Sequence, residues 1–278
     1  MLTADVAATT TDRFFDRIKA RQTEIRSRLC IGLDPDLNRI PAVCKSEPGS
    51  IFAFNKAIID ATQDIACCYK PQIAHFAAQS AEEELIETIR YLQSMEIPVL
   101  LDAKRGDVGS TAEMYARELF ERYGADAITV NPYMGTDTLA PYLSYKDKGI
   151  FVLCRTSNPG GADLQNLVLD SGRHVYEHVA HLAHSEWNEH GNVGLVVGAT
   201  QPEELATVRK ITGDMPFLVP GVGAQGGDIE ALMEAAMRQN VIISSSRGVI
   251  YASGGEDFAQ SARSSALETR NSINAARN

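Results

Sequence analysis

Residues 97–107, IPVLLDAKRGD, are the most informative segment for predicting the fold of this chain. The segment begins as a short apolar run with no polar alternation and ends abruptly in charged residues. Such a run is typical of a parallel strand that is buried on both faces of its sheet. Similar runs recur along the chain, and the sequence contains eight of them: 29–33, 65–69, 97–101, 127–130, 150–153, 193–197, 217–219 and 241–243.

The segments between the runs carry apolar residues at helical spacing, as in residues 51–64 and 80–95. From Asp34 to Ser244, which follow the first and last runs, the chain covers 210 residues in seven steps. About 30 residues per step is the size of one βα unit. Eight such units favour a closed (β/α)8 TIM barrel over an open doubly wound sheet. We expect a single α/β barrel domain that comprises residues 1–278.

Three further helical segments follow from local signals. Residues 12–26 predict an extra N-terminal helix before the first strand. Residues 111–123 predict a helix with Ser110 as its N-cap, because a serine hydroxyl can accept a bond from a free backbone N–H group. Pro202 is expected in the first turn of another helix, where a missing N–H costs nothing.

Composition excludes several classes of protein. The 278 residues are 44% hydrophobic and carry a formal net charge of −10. A chain of this size can bury a sizeable core, and its acidity argues against nucleic acids and anionic membranes as partners. The sequence shows no signal-peptide pattern and no apolar stretch near the roughly 20 residues of a membrane helix. Five cysteines without a CxxC pair predict free, buried thiols and a cytoplasmic location.

Charged residues follow the apolar runs, at the end of a TIM barrel where active sites lie. Asp34 follows the first run and Lys70 the second, whereas the third continues into Asp102, Lys104 and Asp107. Because alternate residues of an extended strand face the same way, Asp102 and Lys104 are predicted to form a desolvated ion pair inside the barrel. A buried ion pair is weak evidence for stability and is more readily explained by function.

A glycine-rich segment, VPGVGAQGGD, follows the seventh run at residues 219–228. Its GxGxxG pattern does not indicate a dinucleotide-binding fold, because it lies late in the chain and lacks an acidic residue about 20 residues further on. In a TIM barrel the loops after strands seven and eight form a phosphate site instead. Backbone N–H groups, Gln225 and the guanidinium of Arg247 are therefore predicted to bind a phosphate.

Taken together, these segments resemble the orotidine 5′-phosphate decarboxylases, and in particular the longer bacterial branch of that family. The resemblance rests on Asp102-x-Lys104-x-x-Asp107 within LLDAKRGDVGSTA. Five further segments agree in the same order along residues 31–252: IGLDPD, YKPQ, RTSNPG, VPGVGAQGGD and SSSRGVIYA. The DxKxxD pattern alone is shared by a wider suprafamily of barrels, whereas the full set is specific.

The resemblance implies a cofactor-independent lyase, with neither a metal ion nor an organic cofactor. The reaction would convert orotidine 5′-phosphate to uridine 5′-phosphate and CO2, the last step of de novo pyrimidine synthesis. Lys104 would stabilise and protonate the C6 carbanion, and Asp102 would lie beside the substrate carboxylate.

The resemblance also implies how substrate is held. Asp34 and Lys70 would hold the ribose and extend the charged network, and Ser157 would contact the edge of the pyrimidine. The positions that would line the pocket or grip the phosphate are Pro220, Gln225 and Arg247. Asp107 and Thr111 would reach the ribose of the neighbouring subunit's substrate, so a homodimer with shared sites is implied. Residues 156–170 are a candidate lid.

Two rival functions use the same barrel. A sugar-phosphate lyase of the suprafamily would use magnesium, but Lys70 stands where those relatives place an acidic metal ligand and would repel the cation. A binding or regulatory barrel that has lost activity is disfavoured by the intact Asp102, Lys104 and Asp107. Four histidines at 174, 178, 181 and 184 could suggest zinc, but we expect a solvated helix face.

Overall fold

Eight parallel strands form the barrel of this protein, in a computed structural model that describes residues 13–45, 49–200, 202–221 and 228–277. The strands are β1 (Leu29–Leu33), β2 (Cys68–Pro71), β3 (Leu100–Arg105), β4 (Ala127–Val130), β5 (Gly149–Arg155), β6 (Val193–Val197), β7 (Phe217–Pro220) and β8 (Val241–Ser245). Their order is β2-β1-β8-β7-β6-β5-β4-β3. Parallel bridges from Tyr69 to Val99 and from Gln72 to Asp102 join β2 to β3. The predicted α/β TIM barrel is confirmed.

Twelve α-helices are described between and beyond the strands. They are α1 (Phe14–Glu24), α2 (Ser50–Thr62), α3 (Ile73–Ala77), α4 (Glu82–Ser94), α5 (Gly109–Arg117), α6 (Thr136–Leu143), α7 (Ala162–Gln165), α8 (Val175–Leu182), α9 (Pro202–Thr212), α10 (Ile229–Ala235), α11 (Arg247–Ile250) and α12 (Phe258–Ala275). Two helices end in π-helical turns, at Glu118–Arg122 and Ala183–Trp187. The extra N-terminal helix and the start of α9 at Pro202 agree with the sequence.

Two strands, β2 and β3, begin later than the sequence predicts. The first, fourth and sixth strands have the predicted limits, whereas β2 and β3 each begin three residues later. Ile65 and Ile97 are buried in the turns that precede these strands, so burial extends beyond the ladder. Apolar character therefore marks burial here and does not distinguish a buried turn from a strand.

The predicted N-cap of α5 is wrong. The helix begins at Gly109, its N-cap is Val108, and Val108 makes no side-chain cap. Gly109 has a φ of +52°, a conformation that glycine adopts without steric cost. The helix thus starts before Ser110, whose exposed side chain lies in the first turn.

Helix α1 closes the N-terminal end of the barrel. Phe14 and Ile18 are buried there against inward-facing strand residues that include Phe151 and Leu218. Arg17 Nη1 lies 2.8 Å from Asp126 Oδ1, and Asp126 Oδ2 accepts a bond from a backbone N–H at the edge of β3. This end of the barrel interior is therefore apolar and covered. A larger apolar cluster fills the space between the strands and the outer helices.

The free thiols agree with the sequence. All five cysteines are buried and none forms a disulfide. Within the described parts of the chain, no helix is both long and apolar enough to cross a membrane.

Residues 174–187, which carry the four histidines, are solvated only in part, because His174 and His181 are half-buried. Tyr176, Ala180 and Trp187 are buried, whereas Val179 is only half-buried. His178 and His184 are exposed, in agreement with a solvated face. His174 precedes the helix, and its backbone N–H donates to Glu177 Oε2.

Candidate active site

Three charged side chains meet at the C-terminal ends of β2 and β3. Lys70 Nζ lies 2.9 Å from Asp102 Oδ2, and Lys104 Nζ lies 2.6 Å from Asp102 Oδ1. The side chains of Lys70 and Asp102 are only 7% and 9% exposed, whereas that of Lys104 is 45% exposed. The predicted desolvated pair of Asp102 and Lys104 is therefore only half right, because the fully buried partner of Asp102 is Lys70.

Opposite charges keep this network ionised despite its burial. Burial opposes the charged form of Lys70, but the nearby charges of Asp102 and Asp34 outweigh it and raise the pKa of Lys70 well above its usual value. Burial likewise opposes ionisation of Asp102, yet the two lysines hold the pKa of this carboxyl well below its usual value. Two cations thus share one buried anion, and the more exposed of them, Lys104, faces the barrel mouth.

A backbone irregularity directs Lys104 toward the mouth. Its φ is +47°, and the register between β3 and β4 shifts between Leu101 and Arg105. A left-handed non-glycine residue is strained, and such bulges are enriched beside functional sites, where they redirect a side chain. Lys104 consequently contacts Asp102 and remains open to the space above the barrel.

Thr129 on β4 completes the network and was not predicted from the sequence. Its hydroxyl donates to Asp102 Oδ1 at 2.7 Å and accepts the backbone N–H groups of Ala103 and Lys104 at 3.0 and 2.9 Å. The residue therefore holds both the carboxylate and the bulge. A threonine in a β-branched strand carries no sequence signal of this role.

Asp34 lies at the end of β1, on the other side of Lys70. Its Oδ2 accepts a 2.6 Å bond from Ser246 Oγ, whereas its buried Oδ1 has no hydrogen-bond partner among the described residues. Glycine at position 32 permits a close approach between β1 and the residue that follows β8, because a Cβ at Gly32 would lie only 2.6 Å from Ser246 Cβ. Asp34 thus offers a free acceptor, and Ser246 is a second residue that the sequence analysis did not single out.

Asp107 and Thr111 lie outside this network. Asp107 Oδ1 accepts the backbone N–H of Val108 at 2.8 Å, and Thr111 is exposed in the first turns of α5. Large apolar side chains are exposed along the same segment at Val108 and Met114, and the exposed Met134 lies close to Gly106. Within one chain, these two residues are therefore not brought to the lysines.

Ser157 lies just beyond β5, where the candidate lid begins. A Cβ at Gly198 would lie 2.9 Å from Ser157 Cα, so glycine permits this close approach of β6. The segment that follows contains a 3-10 turn, Pro159–Gly161, and the short helix α7.

A buried ion pair anchors this segment. Arg155 Nε lies 2.6 Å from Glu204 Oε2, and Arg155 Nη1 donates to Gln165 Oε1 at 3.1 Å. Gln165 Oε1 also accepts the backbone N–H of Thr156 at 2.9 Å. The base of the candidate lid is thus fixed to β5 and α9. Arg155 is the first residue of the RTSNPG segment, and the sequence did not predict this anchoring role for it.

The predicted phosphate site is described in part. Pro220 ends β7, and Gly221, with a φ of +102°, begins the glycine-rich segment. Gln225 lies outside the described residues. Arg247 begins α11 directly after β8, and its side chain is exposed with no ion pair among the described residues. Its guanidinium is free to meet a ligand at the same end of the barrel as Lys104.

The described residues contain no evident metal-binding site. No three His, Cys, Asp or Glu side chains of the described residues converge as a metal site. Asp102, the carboxylate at the bottom of the mouth, already bonds two lysines and one threonine through its oxygens.

Comparison with known proteins identifies the family. The model of the orotidine 5′-phosphate decarboxylase / HUMPS family matches residues 27–262. An orotidine 5′-phosphate decarboxylase of Cellvibrio japonicus is 55% identical over 271 residues, which cover 95% of this chain and 99% of that protein.

Solved structures agree. An OMP decarboxylase of Leishmania donovani superposes with a TM-score of 0.81 at 41% identity, covering 95% of this chain and 98% of that one. The UMP synthase of the same organism gives a TM-score of 0.84 at 42% identity, and the match covers 95% of this chain and 56% of that longer one. The resemblance, the barrel fold and the carboxy-lyase class expected from sequence are confirmed. The chain belongs to the orotidine 5′-phosphate decarboxylase / HUMPS family.

Proposed function

We propose that this protein converts orotidine 5′-phosphate to uridine 5′-phosphate and CO2, and that the network of Lys70, Asp102 and Lys104 performs the chemistry. The observation that carries the proposal is the sharing of one buried carboxylate by two lysines, one of which opens to the barrel mouth. The reaction is the last step of de novo pyrimidine synthesis. The high identity to curated decarboxylases over almost the whole chain supports it.

The chemical step requires stabilisation of negative charge on carbon. The bond between C6 and the carboxylate carbon breaks, CO2 leaves, and the electron pair stays on C6. The ammonium of Lys104 lies close to this carbanion, stabilises it electrostatically and donates a proton to C6. Lys104 then regains a proton from solvent. A fixed ammonium provides this stabilisation without reorganisation, which is commonly the largest contribution to catalysis.

Asp102 has two roles in this scheme. Its charge holds Lys70 protonated and keeps both Lys70 and Lys104 in place, as the distances of 2.9 and 2.6 Å support. Its position also sets a carboxylate beside the carboxylate of the substrate, so that repulsion is relieved as CO2 departs. Thr129 acts as a positioning residue, since its hydroxyl holds Asp102 Oδ1.

Residues around the network bind the rest of the substrate. Oδ1 of Asp34, which bonds no other described residue, accepts a ribose hydroxyl, and Lys70 lies next to this carboxylate. Ser157 reads the pyrimidine edge and Pro220 lines the pocket. Gln225 and Arg247 bind the phosphate, whose binding energy drives closure of the lid at residues 156–170.

We further propose a homodimer in which Asp107 and Thr111 complete the partner's site. Their separation from the lysine network within one chain supports this, as does the exposed apolar surface around them. Residues 1–278 form one barrel domain in this proposal. A cytoplasmic location is supported by the five unpaired thiols.

A magnesium-dependent sugar-phosphate lyase is the second candidate, since the matching family model spans more than one activity. The contacts of Asp102 disfavour it, because both carboxylate oxygens already bond protein donors and Lys70 adds a repelling charge.

One assay separates the two functions. Purified protein is incubated with orotidine 5′-phosphate in excess EDTA, and loss of the orotate chromophore is followed. We expect the same rate with EDTA and with added magnesium. No loss of the chromophore in either condition would contradict the proposal and leave the magnesium-dependent lyase as the candidate. A rate that vanished in EDTA and returned with magnesium would contradict the cofactor-independent mechanism.

A further inference from the structure

A basic pocket lies at the end of the barrel opposite the active site. It encloses about 380 Å³ between α1, the segments that precede β1, β7 and β8, and the end of α12. The charged residues of its lining are Lys19, Arg26, Arg28, Asp214, Arg238 and Arg277. Five cations and one carboxylate thus line a cavity in a protein whose net charge is −10.

Backbone carbonyls, and not carboxylates, hold the cations whose contacts are described. Arg28 Nη1 donates to the carbonyl oxygens of Arg238 and Gln239 at 2.9 and 3.3 Å, and Arg238 Nη1 donates to that of Ala276 at 3.0 Å. Among the described residues, none of the five cations forms an ion pair. These guanidinium groups are oriented, and the one carboxylate of the lining, Asp214, offsets only part of their charge.

The charges repel one another. Burial lowers the pKa of Arg28 and the positive charge of Arg277 lowers it further, whereas Cys67 and Asp214 oppose the shift with smaller contributions. Behind the pocket, Arg209 is only 1% exposed and its guanidinium bonds the carbonyls of Gly213, Met215 and Asn240. Burial lowers the pKa of Arg209 to about 10, against the opposing charge of Asp214, and the positive charge of Arg28 adds to the lowering.

The negative ends of nearby helices offset only part of the positive charge of the pocket. Four helices end at the pocket, since its lining includes Arg26 after α1, Asp214 after α9, Arg238 after α10 and Arg277 after α12. Each helix C-terminus carries roughly half a negative charge. Four such ends and Asp214 offset about three of the five positive charges. An excess of about two positive charges is left in the pocket.

We propose that this pocket binds a small oligophosphate anion with at least two phosphate groups. Arginine is well suited to phosphate because its planar guanidinium donates two parallel hydrogen bonds. Four arginines and one lysine line the pocket, which is more donor groups than the oxygens of one phosphate can accept in bidentate pairs, so two phosphate groups fit the lining better than one. A concave surface of one sign also concentrates its potential on a bound ion. The site is separated from Arg247 and Lys104 by the length of the barrel, so its ligand does not compete with substrate.

Calorimetry with inorganic pyrophosphate tests the site. The pocket variant carries Lys19→Gln, Arg26→Gln and Arg277→Gln, three exposed side chains without a described hydrogen bond. A control variant removes the same charge elsewhere through Arg90→Gln, Lys146→Gln and Lys210→Gln, which are exposed and lie outside the pocket lining. We expect one pyrophosphate per chain, binding at least tenfold weaker in the pocket variant and unchanged in the control.

Further measurements separate this site from the substrate's phosphate site. Pyrophosphate should raise Tm in the full-length protein and in Arg247→Gln, but not in the pocket variant. The kcat and KM of the pocket variant should match those of the unaltered protein. Equal loss of pyrophosphate binding in both triple variants, or binding that depends on Arg247 alone, would overturn the proposal. Orthophosphate binding as tightly as pyrophosphate would also overturn it.

A nucleotide and an inorganic oligophosphate share this chemistry. Equal affinity for tripolyphosphate and a nucleoside triphosphate would support the inorganic ligand. Tighter binding of the nucleoside triphosphate, lost in the pocket variant, would support a nucleotide as the occupant.

Discussion

The two ends of the barrel interior use buried side chains in opposite ways. At the C-terminal end, Lys70 and Asp102 are buried as ions, and each depends on the other's charge. At the N-terminal end, Phe14 and Phe151 are buried as apolar groups, with ring centroids 6.1 Å apart. Burying ions is costly, whereas burying aromatic rings is favourable. The apolar end therefore stabilises the barrel. This stability offsets the cost of burying ions at the charged end, where Asp102 holds Lys104 at the barrel mouth.

We expect the largest effect on stability and turnover from Asp102→Asn, which removes the buried negative charge at the C-terminal end of the barrel. The change keeps the shape but leaves Lys70 buried without its counter-charge. We expect unfolding to become easier by about 3–5 kcal/mol, together with loss of turnover. Urea unfolding and the decarboxylation assay measure the two effects.

Asp64→Asn provides the matched control for this change. Asp64 is 61% exposed and pairs with Arg263 at the surface. Its loss should cost at most about 1 kcal/mol and leave turnover intact. If Asp102→Asn were as mild as Asp64→Asn, the distinction between the charged end and an ordinary surface pair would fail.

Phe14→Ala tests the apolar end. Phe14 is 1% exposed and packs beneath the strands, so the cavity left behind should cost about 3–5 kcal/mol of stability. Because the substitution is remote from Lys104, kcat at a temperature where the variant is folded should be unchanged. A fall in kcat without a fall in stability would show that the two ends are not separate in function.

Thr129→Val should have a smaller effect that links position to chemistry. The substitution keeps the volume but removes the hydroxyl that bonds Asp102 and two backbone N–H groups. Unsatisfied buried groups cost about 1–3 kcal/mol. We expect kcat to fall with little change in KM, whereas Thr269→Val, which removes a bond to a helix carbonyl, should leave kcat unchanged.

The smallest expected effect is a pH dependence confined to the charged end. Because the folded pKa of Asp102 is depressed, its contribution to stability is present above about pH 4 and is lost as the pH falls through the folded value. The raised pKa of Lys70 makes its contribution complete below about pH 10 and lost at higher pH.

The stability of the unaltered protein relative to the variant Lys70→Met/Asp102→Leu should therefore be flat from about pH 5 to 9 and should decline below about pH 4. Urea unfolding at several pH values measures this difference. A difference that grew on acidification would have the wrong sign.

The strands were predictable because parallel strands covered on both faces are apolar throughout, and the strand ends located most of the charged network. The sequence could not reveal the bulge at Lys104, since an extended strand was the simplest conformation for that segment. Thr129 and Ser246 were missed for a related reason. Their contacts join strands that are distant in the chain, and short polar residues in a strand carry no pattern of their own.

The most direct test of the account is the kcat of Lys104→Ala, measured together with the affinity for uridine 5′-phosphate. Lys104 is half exposed, so its loss should leave the fold and product binding largely intact. We expect kcat to fall by at least about 10³-fold, because electrostatic stabilisation and the proton donor are both removed. An unchanged kcat with normal product affinity would contradict the assignment of Lys104 as the group that stabilises and protonates C6.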